Sequence, residues 1–304
     1  MHGDPNDVIE AGGPPGPRRW IAVAVLAAIV AVPVVSLLVG RDPDPPSSLP
    51  APASTPDAAP ATSAAVVDAP VNVLHPKPRR KGDRDVLDVV FPDGSKAEID
   101  YPAELDLAGQ GVRPALGGWL EGYFSLFRQL TVPLGGAAEV AQGRPMIRRL
   151  AGRATLWQPM SRQEGQAVMF DFDPWHVTLR DHKDGMTYEQ RLLWAERLRG
   201  RTTKNGYLVL DAASPVRLAE PGQVFRGELA GPRLWFGGAV ERGEPVLVLA
   251  PAPRCDVEAI GVPEIDQGPG FSTETCENGV YMAASGERGS VERMIADVKV
   301  RMTR

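Results

Sequence analysis

An uncharged apolar segment near the N-terminus constrains this chain more than any other feature. Residues 20–40 read WIAVAVLAAIVAVPVVSLLVG, with Arg18 and Arg19 before them and Arg41 after them. As a helix rising about 1.5 Å per residue, they would span about 31 Å, the thickness of a bilayer hydrocarbon core. Pro33 would break a helix in water but is tolerated in a membrane span. The segment predicts a single transmembrane helix in the lipid bilayer.

A cleaved signal peptide is the alternative interpretation of this segment. Signal peptides carry a shorter apolar region, about 7 to 15 residues, followed closely by a small-residue cleavage site. Here the apolar run is longer, and the nearest A-x-A pattern, at residues 51–53, lies beyond the charges at Arg41, Asp42 and Asp44. We therefore favour an uncleaved anchor.

The orientation follows from the basic residues at the two ends of the span. Arg18 and Arg19 precede it and only Arg41 follows within reach, which favours a cytoplasmic N-terminus. Residues 1–19 then form a short cytoplasmic tail, too rich in Gly and Pro to bury a core. This arrangement excludes a cytoplasmic catalytic domain in the tail, and it predicts a single-pass cell-membrane protein with its C-terminal domain extracytoplasmic.

Composition changes after the span. Residues 41–84 are rich in Pro, Ala and Ser, which predicts a disordered, semi-rigid linker. A basic cluster ends this linker and consists of Lys77, Arg79, Arg80, Lys81 and Arg84. This cluster either binds an anionic headgroup or polymer, or is a solvated linker end. Residues 85–304 then form an extracytoplasmic domain with one core or two subdomains.

The charge balance limits the partners. The formal net charge is -5 and the pI is about 5.5, so the chain has no basic field to gather phosphates. We therefore expect no nucleic-acid partner. An envelope polymer or a protein is the partner that the predicted location favours.

Strand patterns dominate the region after residue 85. Residues 86–91 and 97–101 alternate around the turn sequence PDGS, which predicts a hairpin. Residues 115–130 carry apolar residues at helical spacing but contain three glycines, and we favour strand or irregular backbone there. Further strands are expected at 167–172, 177–180, 207–210, 234–236, 246–249 and 298–302.

Two helices are predicted in the same region. The first has Thr187 and Gln190 as a capping box and Gly200 as its C-terminal stop, with a buried stripe at Tyr188, Leu192, Ala195 and Leu198. The second is short and capped by Ser290. The expected fold class is α+β, a mainly antiparallel sheet domain with one or two helices, preceded by the transmembrane helix.

The two cysteines, Cys255 and Cys276, are expected to form a disulfide. Outside the cytoplasm such a pair oxidises, and closing a loop of about 22 residues stabilises the fold by about 3 kcal/mol. A reactive thiol is the alternative, but the chain contains no C-x-x-C sequence and no histidine near either cysteine.

The chain contains none of the common motifs for catalysis, nucleotide binding or metal binding, and we expect no cofactor. One segment, FDFDPWHVTLRDHKDG, concentrates carboxylates and imidazoles: Asp171, Asp173, His176 and His182. Such side chains hold a divalent metal or act as a base with its orienting acid. They equally suit turns and an exposed strand face, and we favour that reading. The tryptophans are expected in the core, although an exposed one would suit sugar stacking.

Four stretches carry a resemblance: FPDGSKAEIDYPAELDLAGQGVRP, DFDPWHVTLRDH, EQRLLWAERLRGRTTKNGYLVL and FGGAVERGEPVLVLAPAPRC. They resemble a group of uncharacterised membrane-anchored proteins from actinobacteria, across most of the region after the linker. The resemblance implies a location in the bacterial cell envelope and transfers no catalytic residue, ligand or partner.

Three functions remain open. The leading hypothesis is a non-catalytic extracytoplasmic domain that binds an envelope component or partner protein, and it expects a surface without a large groove or concave polar cluster. The second is an anchored enzyme, hydrolytic or metal-assisted, that uses the Asp/His cluster. The third is a structural or assembly subunit that acts through its membrane helix. The absence of catalytic motifs makes an enzyme the less favoured choice.

Overall fold

Antiparallel strands are the commonest regular structure in the part of the protein that its computed structural model describes. The structure describes residues 72–122, 125–132, 146–159, 165–182, 185–238, 244–262, 265 and 270–303. In this part of the chain the predicted α+β class is confirmed, with three α-helices where one or two were expected. The predicted transmembrane helix, residues 20–40, lies outside the described residues. Within those residues, no helix combines the length and the apolar character needed to cross a membrane.

The strands and helices are short and follow one another closely. In chain order the strands are β1 (Arg79–Lys81), β2 (Arg84–Val90), β3 (Lys96–Pro102), β4 (Val112–Leu120), β5 (Leu126–Thr131), β6 (Met146–Arg149), β7 (Ala154–Trp157), β8 (Ala167–Phe172), β9 (Trp175–Leu179), β10 (Leu198–Thr202), β11 (Leu208–Ala212), β12 (Val216–Leu218), β13 (Val224–Phe225), β14 (Glu228–Leu229), β15 (Arg233–Gly237), β16 (Val246–Pro251), β17 (Phe271–Glu277), β18 (Val280–Gly286) and β19 (Lys299–Thr303). The helices are α1 (Leu107–Gln110), α2 (Tyr188–Arg197) and α3 (Arg288–Asp297).

Four sheets arise from these strands. The largest has 11 strands in the order β17-β18-β16-β15-β4-β5-β9-β8-β7-β6, with β12 beside β4. A second sheet has the order β1-β2-β3-β19, and β10-β11 and β13-β14 are two-stranded ribbons. Neighbouring strands pair antiparallel in every sheet.

The predicted N-terminal hairpin is confirmed as β2 and β3, and its turn explains why these strands pair in one register. The backbone N–H of Phe91 donates to Ser95, and that of Gly94 donates back to Phe91. Gly94 has a φ of 88°, which a side chain would strain. The Asp93 carboxylate accepts hydrogen bonds from the backbone and the hydroxyl of Ser95. Turn chemistry therefore fixes the pairing.

Folded chain begins before residue 85, inside the predicted linker. Leu74 exchanges two backbone hydrogen bonds with Val112, and β1 adds to the edge of β2. The basic cluster is largely paired within the fold through ion pairs that join Arg79 to Asp88 and Glu98, Arg80 to Asp85, and Arg84 to Asp100. Strand β1 is fully exposed and has no apolar alternation, because strand pairing and ion pairs hold it rather than burial.

The β15–β18 end of the largest sheet is covered on both faces. Along β16, Leu247 and Leu249 pack into one apolar cluster, while Val246 and Val248 pack into another on the opposite face. Every residue of β18 is buried in the same way. A continuous apolar run of this length is what a strand covered on both faces requires.

The predicted disulfide between Cys255 and Cys276 is present, with 5.8 Å between the two Cα atoms. Cys276 belongs to the edge strand β17, and Cys255 follows β16. Both cysteines pack against the second of the two apolar clusters. The bond therefore ties the edge of the sheet to the loop that covers it.

Helix α2 has the predicted capping box, in which Thr187 and Gln190 satisfy each other's backbone N–H groups. Its predicted end and buried stripe were partly wrong. The helix ends at Arg197, and Gly200 lies within β10, because the chain enters the strand without an intervening turn. Tyr188 is exposed and Leu192 half-buried, whereas Trp194 is fully buried along with Ala195 and Leu198.

Two other expectations need adjustment. Helix α3 is capped by Glu287, whose carboxylate accepts from the backbone N–H groups of Gly289 and Ser290; Ser290, the predicted cap, lies in the first turn. These two hydrogen bonds lower the pKa of Glu287. Residues 115–120 lie in β4 and residues 126–130 in β5, as favoured over a helix. Gly118 lies against the Trp194 ring and the Arg217 carbonyl, where a Cβ atom would fit tightly.

Candidate functional site

An open groove lies at the β6–β9 end of the largest sheet. Side chains alternate along β8, so Val168 and Phe170 enter the core while Met169 and Asp171 face outward. Outward residues of the four strands and their turns enclose about 780 Å³. We call this space the β6–β9 groove, and its lining includes Met146, Arg149, Arg153, Thr155, Trp157, Met169, Asp171, Asp173 and His176.

Trp157 supplies an aromatic surface in this groove. Its indole N–H donates to the hydroxyl of Thr155 at 2.7 Å, which fixes the ring on the outer face of β7. Met146, its cross-strand neighbour, is 44% exposed. The core expectation for the tryptophans holds for Trp119, Trp175 and Trp194, which are buried. Trp157 and Trp235 are only half-buried, and Trp235 packs against an apolar cluster.

Three of the four predicted site residues line the groove together. Asp171 and His176 are directly opposed on β8 and β9, and Asp173 occupies the two-residue turn between these strands. The fourth, His182, is exposed and does not line the groove. The structure thus brings three of the candidates into one concavity, and the expectation of a surface without a large groove is not met.

These side chains do not form an assembled catalytic pair. The Asp171 carboxylate accepts from the backbone N–H of Asp173, and no hydrogen bond joins it to His176 in the part of the chain that the structure describes. The backbone N–H of His176 donates to Asn72 at 2.7 Å, and its buried Nδ1 has no hydrogen-bond partner among the described atoms. No set of three or more His, Cys, Asp or Glu residues in the described ranges could hold a metal ion.

Asp181, two residues beyond β9, has a different role. Its carboxylate is fully buried and lies 2.7 Å from Arg128 and 2.9 Å from Arg191, and it also accepts from the backbone N–H groups of His182 and Met186. Both guanidinium groups are about nine-tenths buried. A buried carboxylate with several donors at short range is fully compensated, so this cluster joins β5, β9 and α2 beneath the groove.

A second cavity adjoins the groove. It encloses about 730 Å³ between β10, the turn at residues 151–154 and the end of β8. We call it the β10 cleft. Arg153, Asp171 and Asp173 line both spaces, whereas Arg197, Arg199 and Arg201 line the cleft alone.

The floor of the β10 cleft is aromatic. Phe172 and Phe170 stack with ring centroids 5.8 Å apart, on the face of β8 opposite to Asp171, as the alternation predicts. Gly200 approaches the Phe172 ring so closely that a Cβ atom there would lie 2.5 Å from it. A glycine is therefore required where β10 crosses β8.

Comparison with known proteins adds no assignment. No protein-family model matches the chain, and no curated protein and no solved structure matches it significantly. The function must therefore be argued from the geometry of the groove and the cleft.

Sequence reasoning missed the arginines of both cavities. Arg199 and Arg201 alternate across Gly200 in the sequence LRGRT, which is a strand pattern, but the adjacent helix signal obscured it. The partners of Asp181 gave no local signal, because Arg128 is 53 residues away in sequence. Trp157 carried a weak signal, since Thr155 and Trp157 alternate with the apolar Ala154 and Leu156.

Proposed function

We propose that this protein is a membrane-anchored binding domain whose extracytoplasmic part holds a glycan of the cell envelope in the β6–β9 groove. The observation that carries the proposal is the half-exposed Trp157 fixed within a concave, polar-lined groove. The proposal keeps the non-catalytic hypothesis but assigns binding to a groove that the sequence did not lead us to expect.

The groove matches the chemistry of a sugar ring. A pyranose presents an apolar C–H face that stacks on an indole and a rim of hydroxyl groups that need donors and acceptors. Trp157 and Met146 supply the apolar surface, while Asp171 and Arg149 supply an acceptor and donors within the same space. Few polar groups around an apolar surface are typical of small-ligand sites.

Two features support an envelope location. Residues 20–40 have the length and composition of a bilayer span. The disulfide between Cys255 and Cys276 suits an oxidising compartment, because thiols in the cytosol are kept reduced. Tethered there, the groove would meet envelope polysaccharide at high local concentration.

Cosedimentation with purified cell-wall sacculi tests the proposal. We expect the full-length protein in detergent micelles to sediment with the sacculi, and Trp157→Ala to weaken the binding about tenfold through loss of stacking. Tyr188→Ala is the matched control, because Tyr188 is an exposed aromatic outside the groove. Unchanged sedimentation of Trp157→Ala, or none by the unaltered protein, would refute the assignment.

A hydrolase that acts on the same glycan is the second candidate. It is favoured by the presence of Asp171, Asp173 and His176 in one groove. Turnover of sacculi by the full-length protein, lost in both Asp171→Asn and His176→Ala while sedimentation persists, would favour hydrolysis over binding. Sedimentation without release of soluble fragments would favour binding alone.

A further inference from the structure

The β10 cleft contains an unpaired strand edge. Backbone hydrogen bonds join Arg197 to Ala213 and Thr203 to Tyr207 at the two ends of the β10-β11 ribbon. Because bonded and non-bonded pairs alternate in antiparallel strands, Arg199 and Arg201 also exchange their bonds with β11. The N–H and C=O groups of Gly200 and Thr202 therefore point away from β11, and β10 pairs with no other strand among the described residues.

This edge faces the cleft. The cleft is lined by residues 195–202, which include all of β10, and by no residue of β11. It therefore lies on the side of β10 that has no partner strand. A further strand would run about 4.8 Å from β10, a separation that a cavity of about 730 Å³ accommodates for a few residues.

The side chains of β10 define what such a strand would carry. Arg199 and Arg201 are exposed on the outward face, while Leu198, Gly200 and Thr202 turn towards β8. Arg197 extends this cationic edge, whereas Arg153 lies on the β8 side, where its carbonyl accepts from the backbone N–H of Asp171. No carboxylate of the described residues forms an ion pair with any of these four arginines. Cations at alternate positions pair best with carboxylates at alternate positions of a neighbouring strand.

The carboxylates of the cleft lie mainly on its other wall. Asp171 and Asp173 belong to β8 and its turn, and Glu196 is on α2. The cleft as a whole thus has four arginines against three carboxylates, but the strand edge itself carries only cations. Recognition of acidic residues is therefore directed to the β10 side.

We propose that β10 binds an extended, acidic segment of a partner protein by strand addition in this cleft. Carboxylates at every second residue of the segment pair with Arg199 and Arg201, and the residues between them turn towards Phe172. The backbone groups of Gly200 and Thr202 supply the hydrogen bonds. The proposal is independent of the glycan site, because Arg199 and Arg201 do not line the β6–β9 groove, and Trp157 and His176 do not line the cleft.

Binding of a model peptide tests the strand addition. The probe is a fluorescein-labelled peptide of alternating valine and glutamate, titrated into the full-length protein in detergent micelles and followed by fluorescence anisotropy. We expect saturable binding with a dissociation constant below about 1 mM. The double variant Arg199→Glu, Arg201→Glu should bind the peptide about tenfold more weakly or worse. Arg254→Glu, at an exposed arginine outside the cleft, is the charge-matched control for Arg199→Glu alone and should bind as the unaltered protein does.

Two N-methylated forms of the peptide separate strand addition from simple charge attraction. Methylation of every second amide removes the donors on one edge of the peptide strand and leaves those on the other. Strand addition predicts that one of the two forms loses binding and the other keeps it. Equal binding of both forms, or loss in both, would overturn the proposal.

A phosphate site is the competing outcome. If vesicles of phosphatidylglycerol bind in an Arg199- and Arg201-dependent manner and the peptide does not, the arginines recognise lipid phosphate and strand addition is refuted. Inorganic phosphate as a competitor distinguishes a free-anion site from a bilayer surface. Failure of all probes also contradicts the proposal, while the sedimentation experiment on the groove stays unaffected.

Discussion

The two ends of the largest sheet are built for different tasks. At the β15–β18 end, which we call the closed end, both faces of β16 and β18 are buried and a disulfide joins the edge strand to its covering loop. At the β6–β9 end, the open end, only the inner face packs on the core, and the outer face forms the groove. Apolar burial on both faces stabilises one end, while the other leaves a concave surface open, where we propose that a ligand binds.

The two ends also differ in what holds them together. The closed end relies on apolar contact and a covalent bond. The open end packs its inner face on the apolar core and is also joined to α2 by the buried ion cluster of Asp181 with Arg128 and Arg191. A sheet with one uncovered face has fewer apolar contacts per strand, so a compensated polar cluster supplies rigidity there.

The largest effect is expected from Asp181→Ala at the open end. Removing this carboxylate leaves two buried guanidinium groups without their counter-ion, and we expect the free energy of unfolding to fall by about 3 to 5 kcal/mol. Urea unfolding followed by circular dichroism measures the change. Asp173→Ala, which removes an exposed carboxylate at the opposite end of β9, should stay within about 0.5 kcal/mol of the unaltered protein. A loss below about 1 kcal/mol for Asp181→Ala would contradict a structural role for the cluster.

The next largest effect concerns the closed end. The double variant Cys255→Ser, Cys276→Ser should lose about 3 kcal/mol, because the unfolded chain regains the freedom that the closed loop removes. Denaturant unfolding of this variant and of the reduced protein should give the same midpoint. If the variant were as stable as the oxidised protein, the closed end would depend on packing alone.

A smaller loss is expected where β10 crosses β8. Gly200→Ala places a Cβ atom against the Phe172 ring and should cost about 1 to 3 kcal/mol by overpacking. Phe172→Leu in the same chain should recover part of that loss, because the smaller side chain leaves room. Additive losses in the double variant would mean that the two residues do not touch as the structure places them.

The smallest effect concerns two buried tyrosines, Tyr101 and Tyr207, and appears only at high pH. Burial raises the pKa of Tyr101 to about 12, and burial also raises the pKa of Tyr207. Because the pKa of Tyr101 is higher in the folded state than in the unfolded chain, its neutral phenol favours the folded state. This contribution to the free energy of unfolding is complete below about pH 10 and is lost as the pH rises towards 12. Urea midpoints between these values should fall for the unaltered protein and fall less for Tyr101→Phe. If the urea midpoints of the two proteins fell equally with pH, ionisation of Tyr101 would be excluded as the cause of the loss.

The sequence predicted the closed end well because its signals are local. A continuous apolar run such as residues 246–249 indicates a buried strand, and two cysteines in a domain that we expect to be exported indicate a disulfide. The hairpin around Gly94 and the capping box of Thr187 were equally local. Each of these features depends on residues that are neighbours in the chain.

The open end was predicted only in part because its chemistry depends on distant contacts. Alternation placed Asp171 and Asp173 on one face, and the structure brings His176 beside them, but nothing local revealed that Trp157 shares their groove. Gly200 looked like a helix stop because a glycine after an amphipathic run suits one, whereas tertiary contact with Phe172 explains its presence. The site is formed by pairing between strands that are far apart in sequence, and the periodicity of residues along one strand does not predict that pairing.

Hydrogen–deuterium exchange of the full-length protein in micelles, with and without solubilised cell-wall glycan, tests the division between the two ends most directly. We predict slower exchange on adding the glycan in peptides from residues 146–159 and 165–182, and no change in those from residues 271–286. Slower exchange confined to residues 271–286, or no difference anywhere, would contradict the assignment of the open end as the binding surface.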